Sequence, residues 1–237
     1  MNVFTASLKQ KNKDVNLFRR LRTSRLLEIV QEASIAHTEK LHMGRSMTLD
    51  KGLLWVVVQQ RFEITAMPEY DEQITVETWP GRTRHVLFPR FYRILNGKGD
   101  TIISGSALWM LVEEDSRRMV FPSKHGIEIN EVITGNETAL PETIRMPQTE
   151  ETKLFSVPFS VCDLNGHMNN TRYLDLCEDL AGDDLLKQTP VLIETEYLSE
   201  VRLHDEIRIS WKQDEHSLCV SGEKEKICFR IRMNYGD

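Results

Sequence analysis

The segment of this chain best equipped for chemistry is Asp163-Leu-Asn165-Gly-His167, in its second half. It places a carboxylate, an amide and an imidazole at alternate positions, and Gly166 allows a tight turn among them. Alternate residues of an extended loop point to one side, so we expect Asp163, Asn165 and His167 to face one site. Such a site could activate a nucleophile and stabilise the charge that forms during acyl transfer.

A predicted helix follows this segment, and Asn169 or Asn170 can cap its start. Its free backbone N–H groups and positive dipole end favour a developing negative charge. Thioester hydrolysis needs these parts and little acid assistance, because the leaving thiol has a pKa near ~8.5. We expect no metal and no cofactor. Taken singly, Asp163 and Asn165 are more typical of an Asx-turn, and His167 of a surface or core histidine.

The first half of the chain shows one helix followed by strands. Apolar spacing predicts the helix from about Leu21 to Leu41. Asn96-Gly-Lys-Gly99 is typical of a hairpin turn. The predicted strands are branched or alternating apolar runs, namely Leu53 to Ile64, Ile74 to Trp79, Val86 to Leu95, where Pro89 suggests a bulge or a sheet edge, and Thr101 to Val112.

The second half repeats this plan after a polar stretch. Residues 134–152 contain Pro141 and Pro147 and predict a linker between two domains, 1–133 and 153–237. The elements predicted after it are an extended segment from Phe155 to Cys162, a helix from Thr171 to Ala181, and strands at Val191 to Leu198, Ile207 to Trp211, Leu218 to Ser221 and Ile227 to Met233.

The two halves therefore look like a diverged repeat. The helix at Arg25 aligns with the helix at Arg172, and the strand at Ile74 aligns with the strand at Ile207. One helix cannot cover such a sheet unless the sheet curls around it. We expect two of these units side by side, in an α+β architecture.

Four stretches carry a wider pattern: Asp163-x-Asn165-x-His167-x-Asn169-Asn170-x-x-Tyr173, Glu196-Tyr197-x-x-Glu200, Leu54-Trp55-Val-Val and Ala107-Leu-Trp109. With these stretches, over nearly its whole length, the chain resembles the acyl-acyl carrier protein (acyl-ACP) thioesterases of bacteria and plant plastids. The resemblance implies a double hot-dog fold and hydrolysis of fatty acyl-ACP, which ends chain elongation in fatty acid synthesis. The glutamate of plant members precedes a cysteine, but here Val201 stands at that position.

The resemblance also implies functional roles for four residues. Asp163 is a candidate nucleophile or orienter of His167, and His167 a general base or acid. Glu200 would position His167 or the water, and Asn165 would donate to the carbonyl oxygen. The expected partner is an acyl carrier protein bearing a fatty acyl chain. The alternatives are an acyl-CoA thioesterase and a non-catalytic acyl-binding hot-dog protein, and the complete set of four residues counts against the second.

The first half lacks this set. The residues aligned there with Asp163, Asn165, His167 and Glu200 are Asn16, Phe18, Arg20 and Met67. We expect the first half to wall the acyl chain with its helix, where Ala33 is a candidate for setting chain length. The basic cluster Arg19, Arg20, Arg22 and Arg25 is a candidate docking surface for the acidic carrier, with Arg117 and Arg118 as the alternative.

Composition narrows the class of protein. The 237 residues carry a net charge of -6, which argues against general nucleic-acid binding. No apolar run reaches the ~20 residues of a membrane span, and no secretory signal is visible. The four cysteines have no metal-ligand spacing and are expected to be reduced thiols of a cytoplasmic protein. The sequence leaves a homodimer open.

Overall fold

The computed structural model describes residues 3–127, 129, 138–149 and 151–236, and ten of its strands form one antiparallel sheet. Their order across the sheet is β1-β3-β4-β5-β2-β7-β10-β9-β8-β6. The strands are β1 Phe4–Lys9, β2 Leu53–Ile64, β3 Gln73–Pro80, β4 Leu87–Leu95, β5 Thr101–Glu113, β6 Glu151–Ser156, β7 Thr189–Tyr197, β8 Glu206–Gln213, β9 Ser217–Glu223 and β10 Ile227–Gly236.

Read outward from the central β2–β7 pair, the two halves have the same strand order. Each half places its second strand first, followed by its fifth, fourth, third and first strands. The two halves meet where β2 pairs with β7, in a register that places Phe62 opposite Ile193. The carboxylate of Glu194 is almost fully buried at this junction, and Arg61 Nη1 lies 2.6 Å from its Oε1. The other oxygen of Glu194 contacts Arg232 of the second half, so the buried carboxylate is paired from both halves in the observed register. The predicted duplication and the α+β class are both confirmed.

Two helices pack on one face of the sheet and share its main core. Helix α1 spans Thr23–Lys40, and its apolar stripe buries Leu26, Leu27, Val30 and Ala33. Each leucine or valine side chain of this stripe contributes roughly 1.5–3 kcal/mol when it is fully buried. Helix α2 spans Arg172–Leu180 and a short helix, α3, spans Asp183–Lys187. Of the three, α3 was not predicted from the sequence.

The two long helices are joined at their ends. Glu178 of α2 accepts a hydrogen bond from the Thr23 hydroxyl at 2.7 Å, and Arg172 Nη2 lies 3.0 Å from Glu28 Oε1. Glu178 thereby places a carboxylate at the amino end of α1, where the helix dipole favours negative charge. These contacts fix the helix pair that carries the groups described below.

The sheet departs from the sequence-based expectation in three places. One is β6, which begins at Glu151 within the predicted linker and is mostly exposed. β1 was not predicted, because its outward positions are polar and it lies at the sheet edge, paired only with β3. Pro89 marks neither an edge strand nor a bulge. β4 is an interior strand whose ladder with β3 ends at Arg90, so a residue without an N–H is tolerated at the next position.

The predicted linker is only partly within the described residues. Residues 138–149 form no helix or strand, yet Ile144 is buried and the Ala139 carbonyl accepts a hydrogen bond from Ser106 at 2.6 Å. Thr134 to Glu137 and Glu150 lie outside the described part of the chain. The domain limits 1–133 and 153–237 stay a prediction.

Candidate active site

The segment predicted to carry chemistry forms a closed turn. The Asp163 N–H donates to the His167 carbonyl at 2.9 Å, and the Gly166 N–H donates to the Asp163 carbonyl at 3.0 Å. Gly166 has φ +74°, which a side chain would disfavour. The expected extended loop is therefore wrong: the segment folds back on itself, and its three polar residues are held by turn geometry.

His167 and Glu200 are the pair that the fold brings into contact. His167 Nε2 lies 3.2 Å from Glu200 Oε2, and the His167 side chain is only 14% exposed. Glu200 follows β7, and a bridge between His167 and Arg202 aligns the two segments. The other carboxylate oxygen, Oε1, lies 3.1 Å from Arg117 Nε, a residue of the first half. Glu200 thus stands between an imidazole and a guanidinium.

Asp163 and Asn165 line the same cavity as this pair but interact with each other. Asp163 Oδ1 accepts the Asn165 N–H at 2.8 Å, which is the Asx-turn that its residue type favours. Within the described chain, the Asp163 carboxylate makes no hydrogen bond to the His167 ring. Its Oδ2 and the exposed Asn165 amide therefore remain available to a ligand.

Helix α2 begins beside this turn. Asn169 Oδ1 accepts the Thr171 N–H at 3.0 Å and its hydroxyl at 2.9 Å, so Asn169 supports the helix start as predicted. The Asn170 carbonyl instead accepts a hydrogen bond from Tyr197 at 2.7 Å. Asn170 borders the cavity, so the start of α2 lies at the cavity wall.

All four candidate residues border one cavity of about 1240 Å³ that extends into the first half. Drug-sized ligands occupy roughly 300–1,000 Å³, so the space suffices for a long chain. The second half contributes Tyr173 and Tyr197 to its wall. The first half contributes apolar groups from β2, β4, β5 and the segment after α1, chiefly Met43, Leu54, Trp55, Val57, Phe88 and Trp109.

The first-half end of the cavity is unexpectedly polar. Arg90 is 7% exposed, and its guanidinium contacts His37 Nδ1 at 3.2 Å and the Thr38 hydroxyl at 3.0 Å. Burial lowers the pKa of Arg90. Among the described residues, no carboxylate lies within ion-pair distance of it. Ser34 also borders this end and contacts the Tyr92 hydroxyl at 2.9 Å.

The face of α1 that borders the cavity is not the face predicted from the sequence. Ala33 lies in the main core and does not border the cavity. The positions of α1 that do so are Gln31, Ser34, Ile35, Thr38 and Glu39. Because the cavity lies to the side of α1, the residues facing the sheet do not form its wall.

The first half keeps the shape of the Asp163–His167 turn without its titratable residues. The Asn16 N–H donates to the Arg20 carbonyl at 2.8 Å, as Asp163 does to His167. Arg19, at φ +63°, takes the place of Gly166. Met67 is buried at the position of Glu200, as the alignment indicated. The repeat is thus visible in backbone hydrogen bonds, whereas the titratable set is confined to the second half.

The cysteines are all free, as expected. Cys177, Cys219 and Cys228 are buried, and Cys162 is half-buried beside Asp163. Burial and the Asp163 charge raise the pKa of Cys162, so its thiol is not activated.

Two arginines of the predicted docking cluster make contacts within the protein, away from the cavity. Arg25 contacts Asp14 at 3.0 Å and Glu28 at 3.0 Å, and Arg20 donates to the Lys187 carbonyl at 2.6 Å. Neither residue borders the cavity. The cations that do so are Arg45, Arg90, Arg117, Arg202, Lys224 and Lys226.

Two further classes of site were searched for. In residues 3–127, 129, 138–149 and 151–236, no group of three His, Cys, Asp or Glu side chains could hold a metal ion. Over the same residues, no helix combines the length and apolar character that crossing a bilayer requires.

Two sheet halves with the same strand order, together with the helices packed on them, define a double hot-dog protein. The sequence model of the acyl-ACP thioesterase N-terminal domain matches residues 1–125, and that of the C-terminal domain matches residues 144–236. The chain therefore belongs to the acyl-ACP thioesterase family.

Individual relatives are distant in sequence and close in fold. The chain is 20% identical over 216 residues to the chloroplastic palmitoyl-acyl carrier protein thioesterase of Cuphea hookeriana, covering 85% of this chain and 50% of that protein. It thus spans about half the length of the curated relatives it matches. An acyl-ACP thioesterase from Bacteroides thetaiotaomicron has a TM-score of 0.88 at 18% identity, covering 99% and 98% of the two chains. The 12:0-ACP thioesterase from Umbellularia californica has a TM-score of 0.83 at 17% identity, covering 99% and 97%. At such identities these structures establish the fold.

Proposed function

We propose that this protein hydrolyses fatty acyl-ACP to free fatty acid and holo-ACP. The observation that carries the proposal is the single cavity that joins the His167–Glu200 pair to an apolar wall in the first half. An acyl chain can lie along that wall while its thioester reaches the polar residues. Family membership independently favours the same substrate class.

In this proposal His167 transfers protons and Glu200 positions it. A carboxylate 3.2 Å from Nε2 favours the tautomer with its proton on that nitrogen, leaving Nδ1 as the base. The structure favours Glu200 over Asp163 as the orienter, because the Asp163 carboxylate makes no hydrogen bond to the ring. Geometry of this kind tightens when substrate binds.

Asp163 retains two roles in the proposal. Its Oδ2 can attack the thioester carbon to give an acyl anhydride, releasing the thiolate, and water then hydrolyses the anhydride. Alternatively, it can hold a water that His167 deprotonates. In both routes Asn165 and the amino end of α2 donate to the carbonyl oxygen as it becomes negative. Label found in Asp163 after a single turnover in ¹⁸O-labelled water establishes the anhydride route, because direct attack of water on the thioester leaves that carboxylate unlabelled.

The decisive experiment measures thiol release from matched acyl-ACP and acyl-CoA substrates. We expect Asp163→Ala or His167→Ala to lower kcat by at least ~100-fold with the fold intact, as for loss of a general acid, base or nucleophile. Cys162→Ser is the matched control and should be nearly silent. Activity that survives Asp163→Ala but not Cys162→Ser would refute the assignment. A preference for CoA would establish the alternative substrate.

We place the docking surface for the acidic carrier at the cavity mouth rather than at the amino-terminal arginines. Lys226 borders the mouth, is exposed and has no ion pair within the described chain. Charges at a rim act mainly on association. Lys226→Glu should therefore raise KM for acyl-ACP several-fold and leave an acyl-pantetheine thioester unaffected. Arg22→Glu, away from the mouth, is the control, and equal effects of the two reversals would contradict this placement.

A further inference from the structure

We infer that Arg117, a residue of the first half, positions the Glu200 carboxylate for catalysis in the second half. This inference rests on the proposed function and adds a residue to its machinery. Arg117 Nε lies 3.1 Å from Glu200 Oε1, while Oε2 of the same carboxylate lies 3.2 Å from His167 Nε2. The two contacts use different oxygens, so the guanidinium can fix the carboxylate plane without displacing the imidazole.

The location of Arg117 explains how it reaches the other half. It lies in the turn that follows β5, where the Arg117 N–H donates to the Glu113 carbonyl at 3.0 Å. Its side chain is 29% exposed and borders the cavity, whereas its neighbour Arg118 is 79% exposed and contacts Glu113 at 3.3 Å. Arg118 therefore contacts a residue of its own turn, whereas Arg117 contacts Glu200 at the candidate site.

The backbone at Arg117 supports a functional reason for the residue. Its φ is +56°, in the left-handed region that glycine tolerates without strain and other residues adopt at a cost. A turn selected for stability alone would favour glycine or asparagine there. Removing this side chain by substitution with glycine therefore relieves the backbone while it deletes the contact with Glu200.

The charge balance indicates what Arg117 does. Glu200 has Arg117 on Oε1, and Arg202 Nη2 lies 3.5 Å from Oε2, where His167 also makes contact. Arg202 is 63% exposed and can move away, so Arg117 is the firmer cation. Without Arg117 the Glu200 carboxylate loses its firmer cation, and its uncompensated charge beside His167 favours the protonated imidazole. Turnover should fall, and the acidic limb of the pH profile should move to higher pH.

The test uses Arg117→Gly, which removes the side chain and relieves the backbone conformation. On a short acyl-pantetheine thioester, which bypasses carrier docking, we expect kcat to fall at least ~10-fold with KM within about two-fold and Tm unchanged or raised. Arg117→Lys should restore part of kcat, and Arg118→Gln should match wild type. Because Arg117 acts through Glu200, adding Arg117→Gly to Glu200→Gln should cause no further loss.

Several outcomes would overturn the inference. They are a kcat within two-fold of wild type for Arg117→Gly, an unmoved pH profile, or losses that add to those of Glu200→Gln. If Arg117→Gly does not fold, full activity and an unmoved pH profile for Arg117→Gln would likewise contradict the inference. Each leaves the proposed function standing, because wild-type hydrolysis and its dependence on His167 are measured separately. Absence of any wild-type hydrolysis would instead refute the proposed function.

Discussion

The proposal that an acyl chain occupies the cavity allows a quantitative prediction at Val57. This side chain borders the cavity and is only partly buried, and it pairs across the ladder with Trp109, which also borders the cavity. Phenylalanine carries about four more carbon atoms than valine and would displace about four methylenes of a long chain. At roughly 0.8 kcal/mol per buried methylene, the lost transfer free energy is about 3 kcal/mol. We expect Val57→Phe to lower kcat/KM by up to ~200-fold for the longest substrates, and to spare chains too short to reach it.

The assay is thiol release from saturated acyl-pantetheine thioesters of increasing length. Ala33→Phe is the matched control, because Ala33 lies in the core and not at the cavity. Overpacking there should lower stability by about 1–3 kcal/mol and leave the chain-length profile unchanged. An equal loss at every length for Val57→Phe, or a shifted optimum for Ala33→Phe, would refute the assignment of this cavity to the acyl chain.

Three further predictions concern buried or half-buried polar groups. Burial raises the pKa of Glu178 despite the hydrogen bond from Thr23, so folding disfavours the charged form of this side chain. Its contribution to the free energy of unfolding is therefore present at low pH and is lost as pH rises through the folded-state pKa. Glu178→Gln should therefore raise the free energy of unfolding at neutral pH, with the gain vanishing in acid, as measured by denaturant titrations. Iodoacetamide should alkylate Cys162 slowly at neutral pH and faster as pH rises, as measured by mass spectrometry, because burial and Asp163 raise the pKa of Cys162. Arg90→Met should increase activity on the longest chains, measured with the same thioester series, because an alkyl chain then no longer meets a buried cation at the end of the cavity.

Hydrophobic periodicity predicted most of this fold. The long helix and most of the strands are apolar on a regular face, and tertiary packing uses that face. The mostly exposed edge strand β6 was not predicted, and its first two residues fell in the predicted linker. The edge strand β1 escaped prediction because half of its residues contact water and only β3 pairs with it. The alternation of Asp163, Asn165 and His167 was correctly taken as a cluster, but the geometry was wrong. The Asp163 side chain accepts the N–H of Asn165, two residues later, and Gly166 adopts a positive φ. This order of residues favours a turn over an extended loop.

The part of the candidate site that sequence reasoning missed comes from the other half of the chain. Nothing in the residues around Arg117 distinguishes it from Arg118, and both could only be proposed as surface charges. The distinction arises when the turn after β5 packs against the segment after β7 and brings one arginine to Glu200. The duplicated turn at Asn16 has no equivalent of this contact, because buried Met67 stands in the first half where the second half has Glu200. A charge-reversal exchange, Arg117→Glu combined with Glu200→Arg, should therefore restore the ion pair and stability but not activity, since the imidazole would then face a guanidinium. Recovery of hydrolysis in that double variant would show that the contact only holds the two halves together.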